Sequence, residues 1–190
     1  MKRLLLILIL TLSFQTWTKA DDISDFQIEG MSIGDSALDY FSKSKILSGK
    51  SFTYKDKKYK GRYIKANSNK YDQLQFHFLK DDNKYIIHAI GGMKDFKFNI
   101  KDCYLEIDQI IVEISNTFKS IRFNNKNTKS HAGDSSGKSK TTSAWFYFPD
   151  GSSGFVGCYD WSKEMAHTDQ LRIVIQTSEL TNWLRYKAHK

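Results

Sequence analysis

The sequence predicts an α+β fold in which antiparallel strands pack against one long central helix. Apolar residues between about 99 and 121 recur at the spacing of one helix face, whereas the flanking segments alternate between apolar and polar residues. The turns between these alternating segments are short, and strands joined by such turns pair antiparallel. An antiparallel sheet beside a helix belongs to the α+β class.

The central helix is the best defined element. Its apolar face consists of Cys103, Ile107, Ile110, Ile111, Ile114, Phe118 and Ile121. Positions three, four and seven residues apart lie on one side of an α-helix, so this face should be buried. Asn99 is the expected N-cap, with Asp102 three positions on to bond back to it.

Three strands are predicted on each side of the central helix, and Phe52 and Tyr54 indicate a further short strand before them. The segments are 59–66, 71–80 and 85–90 before it, and 143–148, 155–160 and 170–177 after it. Gly91-Gly92 should end or bulge the third strand. With short helices near 34–41 and after Ser178, the order is helix, three strands, long helix, three strands, short helix. A duplicated α-β-β-β unit is one interpretation of this order.

Residues 1–20 have the parts of a secretory signal peptide. A basic start at Lys2 and Arg3 precedes an apolar run and a small-residue cleavage site at Ala20. The apolar run is shorter than the roughly 20 residues that a membrane-spanning helix needs. We therefore expect cleavage, one domain over 21–190 without a transmembrane segment, and a periplasmic or secreted location. An uncleaved anchor is the alternative.

Two cysteines follow the leader, Cys103 in the central helix and Cys158 in a predicted strand. Oxidising compartments favour pairing, so we predict the disulfide Cys103–Cys158. Two buried free thiols are the alternative. A zinc site is disfavoured because two sulfur ligands without a CxxC motif do not complete a tetrahedral set.

The segment 122–142 is a long polar tract rich in Asn, Ser, Lys and Gly. It shows no apolar periodicity, and segments of this kind are usually surface loops. We therefore expect a flexible polar loop at about 122–142.

The excess of basic residues is modest and spread along the chain. Three of the 29 Lys and Arg residues lie in 1–20, which leaves 26 against 21 Asp and Glu, a net charge of +5. Such an excess suits an anionic polymer or a membrane surface, although composition bias explains it equally well. There is no basic block and no recognition motif, so we expect no nucleic-acid partner.

Residues 131–139 partly match several catalytic motifs. AGDSSGKS differs from a phosphate-binding P-loop at Ala132, and a polar coil rather than a buried strand precedes it. GDSSG is similar to the nucleophile motif of chymotrypsin-like proteases, with His131 nearby, but its companion motifs are missing. Ser135-x-x-Lys138 matches a penicillin-binding motif in the same incomplete way. A flexible Gly/Ser turn is the simpler interpretation.

Two groups of side chains could ligate a metal. Asp160, Glu164 and His167 are close in sequence, and His77 and His88 lie on neighbouring predicted strands. Neither group has a complete ligand set, and solvated polar residues explain both. We predict no metal site and no cofactor.

The best candidate for a binding surface is the tract 158–162 together with the adjoining predicted strand. The candidate binding residues are Trp145, Tyr159, Asp160 and Trp161. Aromatic rings beside a carboxylate can stack on sugars or other ring-bearing ligands, and a disulfide would hold them rigid. Core packing is the competing interpretation, because large aromatic side chains dominate core burial.

Two stretches carry a resemblance to known proteins. DDISDFQIEGMSIGDSALDYFS at 21–42 and CYDWSKE at 158–164 resemble uncharacterised small secreted proteins of marine alphaproteobacteria, across most of the chain after the leader. This resemblance implies a bacterial exported protein and no known activity. GMSIGDS also resembles the first helix of outer-membrane assembly lipoproteins of the BamE type, although no lipid-anchor cysteine follows Ala20.

These observations predict an exported, non-enzymatic binding or envelope-associated module. Its partner would be an envelope polymer, a glycan or a protein. The alternative is a small secreted hydrolase that uses the Ser/His/Asp-rich loop 131–139. The absence of a complete catalytic constellation favours the binding module over the enzyme.

Overall fold

The computed structural model describes residues 22–97 and 99–190, in which nine strands form one antiparallel sheet. The strands are β1 (Lys50–Thr53), β2 (Tyr59–Lys65), β3 (Gln73–Leu79), β4 (Ala89–Asp95), β5 (Arg122–Phe123), β6 (Asn127–Ser130), β7 (Lys140–Tyr147), β8 (Ser153–Asp160) and β9 (Gln170–Gln176). Their order is β1-β2-β3-β4-β9-β8-β7-β5, and β6 also pairs with β7. The α+β class with an antiparallel sheet is confirmed. The predicted signal peptide at 1–20 lies outside the described residues.

Three α-helices accompany the sheet: α1 (Lys43–Ser48), α2 (Ile100–Thr117) and α3 (Ser178–Tyr186). The central helix is therefore confirmed as α2, but its predicted capping box is wrong. Asn99 makes no side-chain cap, and the amide of Asp102 donates instead to the Asn99 carbonyl. At α3 the cap is Thr177, whose hydroxyl accepts from the amide of Leu180. No helix in 22–97 or 99–190 is long and apolar enough to cross a membrane.

One face of the sheet is covered by α2 and by the N-terminal segment 22–48. The main core contains Ile28, Met31 and Ile46 from that segment, Ile114 from α2, and Phe76, Phe78, Ile90, Phe146 and Ile175 from the strands. A second cluster under α2 contains Cys103, Ile107, Ala144, Val156, Cys158 and Leu171. Each fully buried Ile, Leu, Val, Met or Phe side chain among these stabilises the fold by about 1.5–3 kcal/mol relative to exposure.

The predicted disulfide is confirmed. Cys103 on α2 is bonded to Cys158 on β8, with 6.0 Å between their Cα atoms, and both residues are fully buried. The bond fixes the first turn of α2 to β8, which lies between β9 and β7 in the sheet. A disulfide-bonded domain of this kind is consistent with an extracytoplasmic location.

The N-terminal segment differs from its prediction. In place of an α-helix at 34–41, a single 3₁₀ turn forms at Ala37–Asp39, and α1 begins later. The amide of Ala37 donates to the carbonyl of Tyr85, at 3.0 Å. The Asp35 carbonyl, which an α-helix beginning there would use, instead accepts from the amide of Ile87 at 2.9 Å, so these tertiary contacts prevail over the local helix signal.

The segment 122–142, expected to be a loop, contains β5, β6 and the start of β7. All four residues of β6 are exposed, because the strand lies at an edge and buries neither of its faces. An edge strand of this kind shows no alternation of apolar and polar residues, which explains why the sequence pattern missed it. The hydroxyls of Thr128 and Thr142, 2.8 Å apart, join β6 to β7.

Gly91 and Gly92 lie within β4 and do not end it, contrary to the prediction. A Cβ atom on Gly92 would lie 2.5 Å from the ring of Tyr71, and one on Gly91 would lie 2.8 Å from the carbonyl oxygen of Ile173. The glycines therefore serve close approach to neighbouring groups rather than a chain reversal.

The strands before α2 and those after it meet in the middle of the sheet, where β4 pairs with β9. Outward from this pair the order is β4-β3-β2 on one side and β9-β8-β7 on the other. The short strand indicated by Phe52 is β1 at one edge, and the structure adds β5 and β6 at the other. A duplicated α-β-β-β unit would produce this order, and the duplication itself stays a prediction.

Candidate ligand-binding face

The second face of the sheet is covered by a helix over only part of its area. There α3 packs through Leu180 and Trp183 onto Tyr59, Ala89 and Val174. Beyond α3 the same face presents partly exposed side chains from four strands, namely Tyr63, Arg172, Phe155, Tyr159 and Trp145. We call this region the open face.

Four aromatic side chains form a continuous strip along the open face. Ring centroids are 5.1 Å apart between Trp145 and Phe155, 6.2 Å between Phe155 and Tyr159, and 5.8 Å between Tyr159 and Trp161. These distances lie within the range of favourable aromatic pairs. Trp145 at the end of this aromatic strip is 37% exposed, so it can contact a ligand without any rearrangement.

The position of the strip follows from the alternation along β8. Phe155 and Tyr159 occupy odd positions, whereas Val156 and Cys158 occupy even ones and pack under α2. Successive side chains of a strand point to opposite faces of a sheet. The disulfide to α2 therefore commits the odd positions of β8 to the open face.

Arg172 on β9 places a positive charge beside the strip. Its guanidinium carbon lies 4.8 Å from the ring centroid of Tyr159, and one Nη donates to Oε1 of Gln170 at 3.3 Å. Its Nε–H is buried and has no acceptor among the described residues, and no carboxylate there forms an ion pair with it. Burial raises the pKa of Tyr159, and the charge of Arg172 opposes part of this rise.

A groove of about 740 Å³ extends from Arg172 toward the β1–β2 edge of the sheet. Its lining includes Lys50, Tyr63, Asp72, Asp95, Trp161 and His167. The groove therefore joins the polar end of the open face to the aromatic strip through Trp161.

Trp161 is in contact with two histidine rings. Its ring centroid is 4.4 Å from that of His131 and 4.9 Å from that of His167. Its backbone amide donates to Oδ1 of Asp169 at 2.7 Å, which fixes the chain just after β8. The indole Nε1–H is buried and has no hydrogen-bond acceptor in the described part of the chain.

The loop 131–139 is organised around a buried carboxylate. Asp134 accepts hydrogen bonds from the amide of Ser136, from the amide and hydroxyl of Ser139, and from the hydroxyl of Ser162. These hydrogen bonds hold the pKa of Asp134 well below its usual range. The Asp of GDSSG thus joins the β6–β7 hairpin to the segment that carries Trp161.

The geometry expected of a hydrolase is not present in the described residues of this loop. Nδ1 of His131 accepts from the amide of Gly133 at 3.1 Å, and no hydrogen bond joins His131 to Ser135 or Ser136. The loop connects two strands, so it also lacks the helix N-terminus that a P-loop uses to bind phosphate. The motifs in 131–139 find no structural support.

The potential metal ligands contact different neighbours. Glu164 forms an ion pair with Lys138, His167 packs on Trp161, and Nε2 of His77 bonds the hydroxyl of Tyr54 at 2.7 Å. Across 22–97 and 99–190 there is no group of three or more His, Cys, Asp or Glu side chains that could hold a metal ion.

The four candidate binding residues do not all lie together. Trp145, Tyr159 and Trp161 belong to the strip, whereas the carboxylate of Asp160 accepts from the hydroxyl of Tyr104 on α2, at 3.3 Å. Asp160 has the parity of Cys158 and therefore lies on the α2 side of the sheet.

Three residues of the open face are not among the predicted binding residues. Tyr63 and Phe155 are predicted only as strand residues, and Arg172 stands between Leu171 and Ile173 in the last predicted strand. A signal for Arg172 was present, because a charged residue inside an alternating strand indicates the exposed side.

Comparison of the chain with protein-family models, with curated proteins and with solved structures found no match.

Proposed function

We propose that the chain is an exported binding module without a catalytic role, and that its ligand lies on the open face. The observation that carries this proposal is the aromatic strip, which runs to a guanidinium that no described carboxylate neutralises. Aromatic and arginine side chains dominate binding hot spots, because they combine a large contact area with directional polar groups.

The strip is not needed to complete a core. The opposite face of the sheet is already covered by α2 and the segment 22–48, and α3 packs in a separate apolar cluster around Trp183. Trp145 nevertheless stays more than one-third exposed at the end of a row of rings. Contiguous exposed apolar patches usually mark interaction sites, and flat rings suit sugars and other ring-bearing ligands.

The buried disulfide supports an exported location, in the periplasm or outside the cell. Envelope polymers, glycans and exported proteins are the partners present in those compartments. A rigid aromatic surface fixed by the disulfide through β8 is suited to binding such a partner without reorganisation.

The test is a binding screen of the purified exported protein on a glycan array and on envelope extract, followed by titration of each hit. Trp145→Ala should weaken binding by about tenfold or more, the scale of a hot-spot aromatic residue. Leu105→Ala is the control, because Leu105 is 65% exposed on α2 over the opposite face. The proposal fails if nothing is enriched, or if the two variants weaken binding equally.

A further inference from the structure

Arg172 forms no ion pair with a carboxylate of the described residues. Its guanidinium rests on Tyr159 and shares one Nη with Gln170, while its Nε–H is buried without an acceptor within the described chain. A guanidinium offers a planar pair of donors that a carboxylate accepts with two parallel hydrogen bonds. An anionic ligand group would therefore supply the missing acceptor.

A further buried polar atom in the groove of Arg172 has no partner among the described residues. It is the donor Nε1 of Trp161, which lines the same groove. A sugar hydroxyl both donates and accepts, so a carbohydrate can supply the missing acceptor, whereas an apolar ligand would leave this donor unpaired.

A second positive region lies at the other end of the strip. Arg122 and Arg185 line a cavity of about 750 Å³ together with Tyr147, and neither arginine is in an ion pair within the described residues. Arg122 is paired with Tyr147, which stands two residues from Trp145 on the same face. Counting strands and residues from Arg172 to Arg122 gives a separation of roughly 20 Å.

The spacing of charge favours a carbohydrate over a nucleic acid. Positive groups stand at both ends of the open face, and uncharged aromatic rings lie between them. Lys50 and Lys65 line the groove of Arg172 together with Asp72 and Asp95, so the carboxylates there do not by themselves separate one anionic polymer from another. A polyphosphate backbone needs a continuous basic track, which the uncharged rings between the two ends do not supply.

We propose that the ligand is an acidic polysaccharide. Its carboxylates bind Arg172 at one end and the Arg122–Arg185 pair at the other, and its sugar rings stack on the strip between them. This inference rests on the proposed function and adds the chemical class of the ligand. A separation of roughly 20 Å between the charged ends requires several sugar units, so the ligand is a polymer rather than a monosaccharide.

The experiment compares polygalacturonate with the same polymer after full methyl esterification, by isothermal titration of the purified exported protein. The two polymers share a backbone and differ in charge. The acidic form should bind at least about tenfold more tightly, the effect of losing charge-assisted hydrogen bonds. Its affinity should fall as salt is raised, while that of the ester should not.

Single-residue variants test the chemical class of the ligand independently of the location of its binding face. Arg172→Gln should remove the part of the preference for the acidic polymer that Arg172 supplies and leave the part that Arg122 and Arg185 supply, and Arg172→Lys should restore only some of what is lost, because lysine lacks the planar pair of donors. Lys101→Gln removes the same charge from α2, over the opposite face, and should leave the preference intact.

Three outcomes would overturn the inference. Equal binding of both polymers, with loss in Trp145→Ala, leaves the proposed function standing and removes the acidic ligand. Tighter binding of oligo-dT than of polygalacturonate would assign the face to nucleic acid. If neither polymer binds and no glycan on the array binds, the proposed function fails as well.

Discussion

The ring of Phe155 lies over Gly157 on the open face of β8. A Cβ atom at Gly157 would stand 2.5 Å from Cζ of Phe155 and 2.9 Å from Cβ of Ser143. Only glycine leaves room for the ring against the sheet. This close approach lets Phe155 bridge Trp145 and Tyr159 and make one continuous strip.

Gly157→Ala should displace the ring of Phe155. We expect a loss of about 1–3 kcal/mol in unfolding free energy from overpacking, measured by urea denaturation, and weaker ligand binding. In a Phe155→Ala background the same substitution should cost less, because the crowding ring is gone. An equal cost in the two backgrounds would show that the ring does not occupy this space.

Reduction of Cys103–Cys158 should destabilise the protein. The bond closes a loop across a sequence separation of 55 residues, for which chain entropy gives about 4 kcal/mol. The melting temperature of the native protein should fall on full reduction. The double variant Cys103→Ala/Cys158→Ala should have a melting temperature close to that of the reduced protein, and adding reductant should not change it. A melting temperature that is unchanged after verified reduction would contradict the account.

His77 should make stability depend on pH. Burial lowers its pKa from 6.5 to about 4, so between these values the unfolded chain binds a proton that the folded chain does not. Stability should therefore fall by about 3 kcal/mol as pH drops through this window. His77→Gln should remove this part of the slope, and His88, whose pKa burial also lowers, should retain a residual slope. Parallel pH profiles for wild type and variant would refute the assignment.

Asp134 and Ser135 should respond differently to substitution. Asp134→Asn weakens the hydrogen bonds to Ser136, Ser139 and Ser162, so the melting temperature should fall and amide exchange in 134–139 should accelerate. Ser135→Ala removes an exposed hydroxyl and should change neither property. A hydrolytic activity that disappears in Ser135→Ala would instead support the hydrolase hypothesis.

Much of the fold is predictable because its signals are local. The apolar face of α2 has the period of a helix, and the pairing of Cys103 with Cys158 follows from the expected compartment. The edge strands β1, β5 and β6 bury little, so their sequences carry a weak alternation signal or none. The N-terminal 3₁₀ turn depends on a contact with Tyr85 that no local pattern reveals.

The candidate site is predictable only in part, because a face is a property of neighbouring strands. Aromatic density alone singles out Trp145 and Trp161. The bond from Cys158 to α2, combined with alternation, assigns Asp160 to the opposite side from Tyr159, and this step was available from the sequence. The contribution of Arg172 requires knowing that β9 lies beside β8, which turn lengths do not determine.

The most direct test of the open face follows the tryptophan indole N–H signals by NMR while polygalacturonate oligomers are added. Trp145 and Trp161 should shift, and Trp161 should shift most because its Nε1–H gains an acceptor. Trp183 should stay constant, since its Nε1 donates to Oδ2 of Asp56 at 3.0 Å beneath α3. Shifts at Trp183 with constant Trp145 and Trp161 signals would place the ligand elsewhere and contradict the account.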